Sequence, residues 1–339
     1  MMRGVSHTPS DANPRRDALV RWLQAELGLP ALDLEPASED ASFRRYYRVR
    51  YAGQSVIAMD APPDKENVRV YMDVAHLFRN LGLNVPEVLA SDLERGFLLI
   101  TDLGTELYLH ALNDATVERL YGDALGALMV LQACGPADVA LPCYDQKLLR
   151  NEPELFREWY LKKHLGFALD EPRNRMLDAV FERLVRSALE QPQVCVHRDY
   201  HSRNLMVTAR HNPGILDFQG AVVGPVTYDL VSLLRDCYVA WPRARVEEWA
   251  LGYHDLAVQS GVLREENEER FLRWFDLMGV QRHLKAAGIF ARLHHRDGKS
   301  AYLRDIPRTL GYVREVSARY PELSGLHDLL CELPATDAP

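Results

Sequence analysis

Cysteine is scarce: five residues in 339, none in a C-x-x-C pair and none clustered with histidine at zinc-binding spacing. That spacing suggests neither a disulfide framework nor a structural metal, and Cys134, Cys143, Cys195, Cys237 and Cys331 read as reduced thiols. Nowhere do eighteen apolar residues run together, and the opening MMRGVSHTPSDANPRRD lacks the apolar stretch of a secretory signal. No membrane span is expected, and the expected address is the cytoplasm. Positive charge is in deficit as well. With 40 Lys+Arg against 48 Asp+Glu the formal net charge is −8, which argues against dedicated binding to nucleic acid or anionic membrane and favours a small-molecule partner. Repeats and low-complexity segments are absent, while 47% hydrophobic and 26% charged residues suit an ordinary packed core. The length predicts two lobes or domains, and the oligomeric state leaves no signature.

Periodicity supplies the organisation. Leu19, Trp22, Leu23 and Leu27 recur at helical spacing over residues 18–27. Over 43–51 the period becomes two, with Phe43, Tyr47, Val49 and Tyr51 on one face and Arg44, Arg48 and Arg50 on the other. Ala52-Gly53 turns this strand into a second at 55–59, stopped by Pro62-Pro63. A helix capped by Asp64 then carries Tyr71, Val74, Phe78 and Leu81 up to Gly82, and strands follow at 88–90 and 97–100. Beyond Gly104 the pattern turns helical, with Val117, Leu120, Ala124, Leu128 and Leu131 in register over 115–134. The boundary therefore falls between a strand-rich part, 1–104, and a helix-rich part, 105–339. Short apolar runs at 194–196, 205–207 and 215–216 interrupt the helices as small strands, with His211-Asn-Pro-Gly214 turning between the last two. Helices resume at about 229–238, 246–259 and 265–293.

Polar residues gather in that interruption: Val196-His-Arg-Asp-Tyr-His-Ser-Arg-Asn204, Ile215-Leu-Asp-Phe-Gln-Gly220 and Thr227-Tyr-Asp-Leu230. Asp199, Asn204 and Asp217 are three oxygen-bearing side chains at the ends of short strands, where rigid elements can aim them at one point. Hard oxygen donors suit Mg²⁺, which takes one or two protein ligands and fills its other positions with water and phosphate. Asn204 and Asp217 provide that pair, leaving Asp199 to orient an attacking hydroxyl and accept its proton.

The catalytic-loop Asp199, the Asn five residues on and the Asp eighteen residues on resemble the protein-kinase-like superfamily, more closely its aminoglycoside and choline kinase branch. His201 stands where the small-molecule branch commonly has His, and Thr227-Tyr-Asp-Leu230 resembles that branch's later Tyr-Asp-Leu element. The resemblance covers roughly residues 38–290. It implies an α+β, protein-kinase-like bilobal fold: a small antiparallel-sheet lobe for the nucleotide over 1–104, and a larger, mainly helical lobe over 105–339 with the catalytic loop and sugar site. It implies ATP and Mg²⁺ as cofactors, Asp199 as the catalytic residue and Asn204 and Asp217 as metal ligands. Asp229 would support the catalytic loop by hydrogen bonds, with His197 as a second scaffold residue. Ser42, Phe43 and Arg44 fall at the phosphate loop, and the backbone of Asp102-Leu103 falls at the adenine hinge.

Two features depart from that pattern. The stretch Ala41-Ser-Phe-Arg-Arg-Tyr-Tyr47 holds no glycine, and Met59 stands where the phosphate-gripping lysine is expected. Arg44, Arg45 or Lys65 is expected to supply the positive charge instead. The segments 57–63, 96–104 and 278–292 resemble the bacterial cell-wall-recycling sugar kinases, a family that phosphorylates the anomeric hydroxyl of N-acetylmuramate and N-acetylglucosamine with ATP. For such a substrate, His201, Gln219 and Arg282 are the expected contacts, with His283 and Arg292 on the same helix, and Trp159 or Tyr160 stacking on the pyranose. Two other readings stay open: an aminoglycoside-type antibiotic kinase and a nucleotide-binding pseudokinase.

Overall fold

The computed structural model describes residues 13–29, 34–38, 43–135, 141–264 and 267–334. Ser42 and the first expected residues of the 265–293 helix lie outside them. Two compact units are distinguished: described residues up to Arg79 with Val85–Gly104, and Asn80–Asn84 with the described residues from Thr105 onward.

In the first unit Pro14 opens a helix with its φ already set, and the Asn13 side chain accepts the Arg16 N–H at 3.3 Å. The helix α1, Pro14–Arg21, continues into a π-helical turn at Trp22–Glu26. Leu19, Trp22 and Leu23 drop into one apolar cluster with Leu34, Tyr47, Val49, Val56, Ala58, Phe97 and Leu99. Those partners come from a five-stranded antiparallel sheet of β1 (Leu34–Ser38), β2 (Arg45–Tyr51), β3 (Gln54–Asp60), β4 (Val88–Asp92) and β5 (Phe97–Thr101), in the order β1-β2-β3-β5-β4. The helix α2, Val68–Asn80, lies between β3 and β4 in the chain. Because β3 is central, its residues from Val56 to Asp60 are all buried, so it reads as a continuous apolar run rather than an alternation. Its last residue is the exception in character: Asp60 is buried and accepts from Arg15 Nε at 2.8 Å, while Arg15 also donates to the Arg95 carbonyl at 2.7 Å.

Three expectations differ here. The edge strand β1 escaped the sequence reading because Pro36 in Leu-Glu-Pro-Ala-Ser looks like a loop, yet an edge strand tolerates proline, and a bulge follows between Pro36 and Ser38. Asp64 does not cap α2; the helix starts later, and Asn67 Oδ1 accepts the Arg69 N–H at 3.1 Å. Phe43 is not on the buried face but precedes β2 with 64% of its surface exposed.

The second unit is built on helices: α3 (Tyr108–Ala111), α4 (Val117–Cys134), α5 (Gln146–Leu155) running into a π-helical stretch Phe156–His164, and α6 (Glu171–Leu189). Four short strands follow: β6 (Gln193–Val196), β7 (Leu205–Met206), β8 (Gly214–Ile215) and β9 (Val222–Pro225). Then come α7 (Tyr228–Leu234), α8 (Arg243–Gln259), α9 (Glu268–Asp297), α10 (Ile306–Ser317) and α11 (Ser324–Glu332). Strands β7 and β8 form a hairpin, while β6 pairs with β9, a strand the sequence reading lacked because Val-Val-Gly-Pro resembles a turn. The thirty-residue α9 is the axis of the unit, buried even at Asp276, Gln281, Arg282, His283 and Lys285. Gly288 lets it lie against the chain at Leu155, where a Cβ would meet the Leu155 carbonyl carbon at 2.2 Å.

Candidate active site

Strand β6 ends by delivering His197, Arg198 and Asp199 into a turn held from below by Asp229 in the first turn of α7. The two Asp229 oxygens accept the backbone N–H groups of His197 at 2.6 Å and Arg198 at 2.9 Å. This fixes Arg198 at φ 78, a left-handed conformation that a residue with a Cβ adopts only where its surroundings impose it. Asp229 is fully buried, and burial raises its pKa to about 7 against the lowering effect of those two amides. Burial also lowers the His197 pKa to about 4. The ring is therefore neutral at pH 7, and its Nδ1 accepts the Asp199 N–H at 3.3 Å. Farther on, Tyr200 Oη donates to the Ala124 carbonyl at 2.8 Å and the Ser202 N–H donates to Asp236 Oδ2 at 2.9 Å, pinning the loop to α4 and to the segment after α7.

Asn204 joins this loop to the β7–β8 hairpin. Its side-chain Nδ2 donates to the Asp199 carbonyl at 2.9 Å, and its own carbonyl accepts the Leu216 N–H at 2.9 Å. Committing the amide nitrogen in this way orients the Oδ1 acceptor of Asn204. Asp217 comes directly after Leu216, at φ 61, a conformation Asp tolerates better than most residues. Its Oδ1 accepts from Gln219 Nε2 at 2.6 Å, which steadies this carboxylate. Asn204 thus ties the backbone of Asp199 to the strand end that precedes Asp217.

The electrostatics around Asp199 are cationic. Burial acts to raise its pKa, but Lys285, His201, Arg282 and Arg198 outweigh it and bring the value to about 2. Lys285 Nζ is 2.9 Å from Glu152 Oε1 and 2.8 Å from Tyr228 Oη, and Arg198 donates to the same Glu152 oxygen at 2.9 Å. Tyr144 also donates to Glu152. Two cations sharing one buried carboxylate leave a net positive charge beside Asp199, which keeps it ionised. The sequence reading missed Glu152 and Lys285, since a lone Lys within α9 and a lone Glu within α5 carry no spacing signal. The only trace was a charged residue on an otherwise buried helix face.

A wall of rings continues from the loop. His201 meets Tyr238 edge-on at 5.4 Å, and the Arg203 guanidinium lies 4.8 Å from the Tyr238 ring centre and 5.2 Å from that of Tyr302. Phe290 stacks on Tyr302 at 5.7 Å. Arg203, Tyr238 and Tyr302 had not been singled out. Of the residues that had been, Arg282 is buried, with Nη1 donating to Cys237 Sγ at 3.7 Å, so it bears on Asp199 through charge. His283 turns the other way, into the interior, with Nε2 2.7 Å from the Arg235 carbonyl. Tyr160 is a core residue stacked on Phe156 at 5.4 Å, whereas Trp159 is half-buried under Lys163. Arg292 is half-buried near the end of α9.

In the first unit the expected nucleotide residues are held as follows. The Asp102 carboxylate accepts from Arg48 Nε at 2.6 Å, Ser55 Oγ at 2.5 Å and the Gly104 N–H at 3.0 Å. Its side chain is therefore committed internally, and the segment Asp102-Leu103 has its backbone to offer. Arg44 lies 3.7 Å from Glu66, and Lys65 lies over the Phe43 ring at 5.8 Å. Met59 is fully buried in β3, paired with Tyr46 and Leu98.

An antiparallel five-stranded sheet followed by a helical unit carrying this loop is the architecture of the kinases that act on small molecules. The crystal structure of the ADP-bound aminoglycoside phosphotransferase APH(2'')-Ib matches it at a TM-score of 0.59, with 14% identity, over 87% of this chain and 97% of that one. The chain belongs to the phosphotransferase enzyme family, whose model matches residues 33–275. It is 48% identical over 331 residues to an N-acetylmuramate/N-acetylglucosamine kinase of Pseudomonas putida, covering 95% of this chain and 97% of the relative. A Pseudomonas aeruginosa protein of the same name is 49% identical over 306 residues, 90% of each chain. The expected fold class and family are thereby established. Among the described residues, no helix is long and apolar enough to cross a membrane.

Proposed function

We propose that the chain is an ATP-dependent sugar kinase that phosphorylates the anomeric hydroxyl of N-acetylmuramate and N-acetylglucosamine, in the cytoplasm, as a step in reusing cell-wall sugars. The observation that carries it is the tie Asn204 makes between the backbone of Asp199 and the strand end that precedes Asp217, in a chain 48% identical to a kinase named for those sugars. In this reading the Asp199 carboxylate receives the hydroxyl proton as the sugar oxygen bonds to the γ-phosphorus and the bond to the ADP oxygen breaks. With a pKa of about 2 it is a weak base, suited to orienting the hydroxyl and taking the proton late, when the transferring phosphoryl group is already loosely bound. Asn204 and Asp217 would hold Mg²⁺, which when bound neutralises charge on the phosphates. Phe43, Arg44 and the backbone of Asp102-Leu103, with Ser42, are the proposed nucleotide contacts. His201 and Gln219 complete the acceptor side, and Arg203, flanked by two tyrosine rings, is positioned to meet the lactyl carboxylate that N-acetylmuramate has and N-acetylglucosamine lacks. Arg198, Arg282 and Lys285 around Asp199 are unsuited to a polycationic aminoglycoside.

The test is phosphorus NMR of the products from ATP, Mg²⁺ and each free sugar, with wild type and Asp199→Asn. An anomeric phosphate from the wild type, turnover reduced roughly 10²–10⁴-fold in the variant and retained ATP affinity by calorimetry are expected. No anomeric phosphate, or wild-type turnover by Asp199→Asn, overturns the reading. Arg203→Ala is expected to raise KM for N-acetylmuramate on the order of tenfold, as loss of a charge-assisted hydrogen bond does, while leaving that for N-acetylglucosamine nearly unchanged. Equal effects on both sugars remove Arg203 from the carboxylate site.

A further inference from the structure

We propose that His164, His294 and His295 form a binding site for a borderline-soft divalent metal ion, with Zn²⁺ the best fit, at the C-terminal end of α9. His164 ends the π-helical stretch Phe156–His164, which packs along α9, and His294 and His295 stand in the last turn of α9 before Gly298. One potential ligand atom from each of the three lies within 4.8 Å of the other two. His164 Nδ1 and His295 Nε2 are 3.2 Å apart. Two imidazole nitrogens at zinc-ligand distance on one tetrahedral ion stand about 3.3 Å apart, so His164 and His295 already have that spacing and a ring adjustment brings in His294.

The surroundings are those of a ligating set. Ser300 Oγ lies 2.9 Å from His294 Nδ1, the kind of outer hydrogen bond that fixes the ring and leaves Nε2 for a metal. The His164 ring stacks on Tyr160, with centroids 5.8 Å apart and planes 22° apart, which limits its rotation. Burial first, then the charges of His295 and His294, lower the His164 pKa, favouring the unprotonated form that binds metals. His164 and His294 are half-buried and His295 is exposed, so an ion can enter from solvent. Three imidazoles with no carboxylate disfavour Mg²⁺, which makes this site chemically distinct from the oxygen donors Asn204 and Asp217. A bound ion would cross-link the 156–164 stretch to the end of α9 and stabilise the native state by mass action.

The experiment is calorimetric titration of ZnCl₂ into tag-free, chelator-dialysed full chain, repeated with Co²⁺ to read the visible absorption of a tetrahedral site. One ion per chain is expected, with affinity reduced on the order of tenfold or more in His164→Ala and in the exposed-site variant His295→Gln. Cys331 Sγ and His327 Nε2, 3.6 Å apart, are the rival soft donors, and the double change His327→Ala/Cys331→Ser is expected to leave binding intact. Absence of saturable binding, wild-type affinity in both His164→Ala and His295→Gln, or loss in the His327/Cys331 variant alone overturns the proposal.

Discussion

Replacing Asp229 with Asn tests whether the turn before Asp199 is held by charge or merely by shape. The native carboxylate serves two N–H donors, those of His197 at 2.6 Å and Arg198 at 2.9 Å, on a residue with no exposed surface. An amide has one acceptor oxygen, so one buried N–H loses its partner and faces an NH₂ group, at about 1–3 kcal/mol. Relaxation of Arg198, a non-glycine residue held at φ 78, offsets part of this once its N–H is released. We expect urea unfolding of Asp229→Asn to show a loss of about 1–2 kcal/mol at unchanged m-value, with turnover lowered on the order of 10²-fold as Asp199 shifts. The pH dependence gives a second readout. The carboxyl pKa is about 7 in the folded protein against an ordinary 3.8, so its stabilising contribution is full below about pH 4 and is lost as pH rises through about 7. The stability gap between wild type and variant should therefore narrow over that window. A variant within about 0.5 kcal/mol of wild type with normal turnover would refute the role assigned to Asp229.

Two further perturbations address other links of the argument. Lys285→Met removes the first of the cations that hold the Asp199 pKa at about 2 against burial, so the acid limb of kcat/KM should move to higher pH. The stability that ionised Asp199 contributes above pH 3.8, and loses as pH falls toward 2, should shrink in parallel; an unmoved acid limb in a pH–rate series rejects the coupling. Gly288→Ala places a methyl 2.2 Å from the Leu155 carbonyl carbon, a backbone atom with little room to yield, and a thermal melt should report a loss of about 1–3 kcal/mol. No measurable loss would mean that α9 and the 155–156 backbone are not in contact.

The first hundred residues were legible because alternation and turn residues report directly on a sheet: β2, β3, β4 and β5 fell where the period changed. The edge strand β1 was not, since Pro36 suppresses the signal while the pairing with β2 tolerates it. In the second unit the Asp199, Asn204 and Asp217 spacing located the loop and hairpin, because residues at the ends of short strands keep fixed offsets. Glu152, Lys285 and Arg203 stayed hidden because they reach this region from α5, α9 and a side-chain sandwich, and such meetings are decided by packing between distant segments. His283 was misplaced for a related reason: helical spacing gave its neighbours but not which side of a helix buried all round would face the loop.

The buried Asp60 at the end of β3 has a practical corollary for anyone trimming this protein. Shortening the chain to begin at the sheet would strip away Arg15 and leave the buried Asp60 side chain, opposite Phe97, without the guanidinium it pairs with. Removing one partner of such a pair typically destabilises by about 3–5 kcal/mol, a large fraction of a whole domain's margin. The helix α1 shares one apolar cluster with the sheet, and affinity tags belong ahead of it, never in its place.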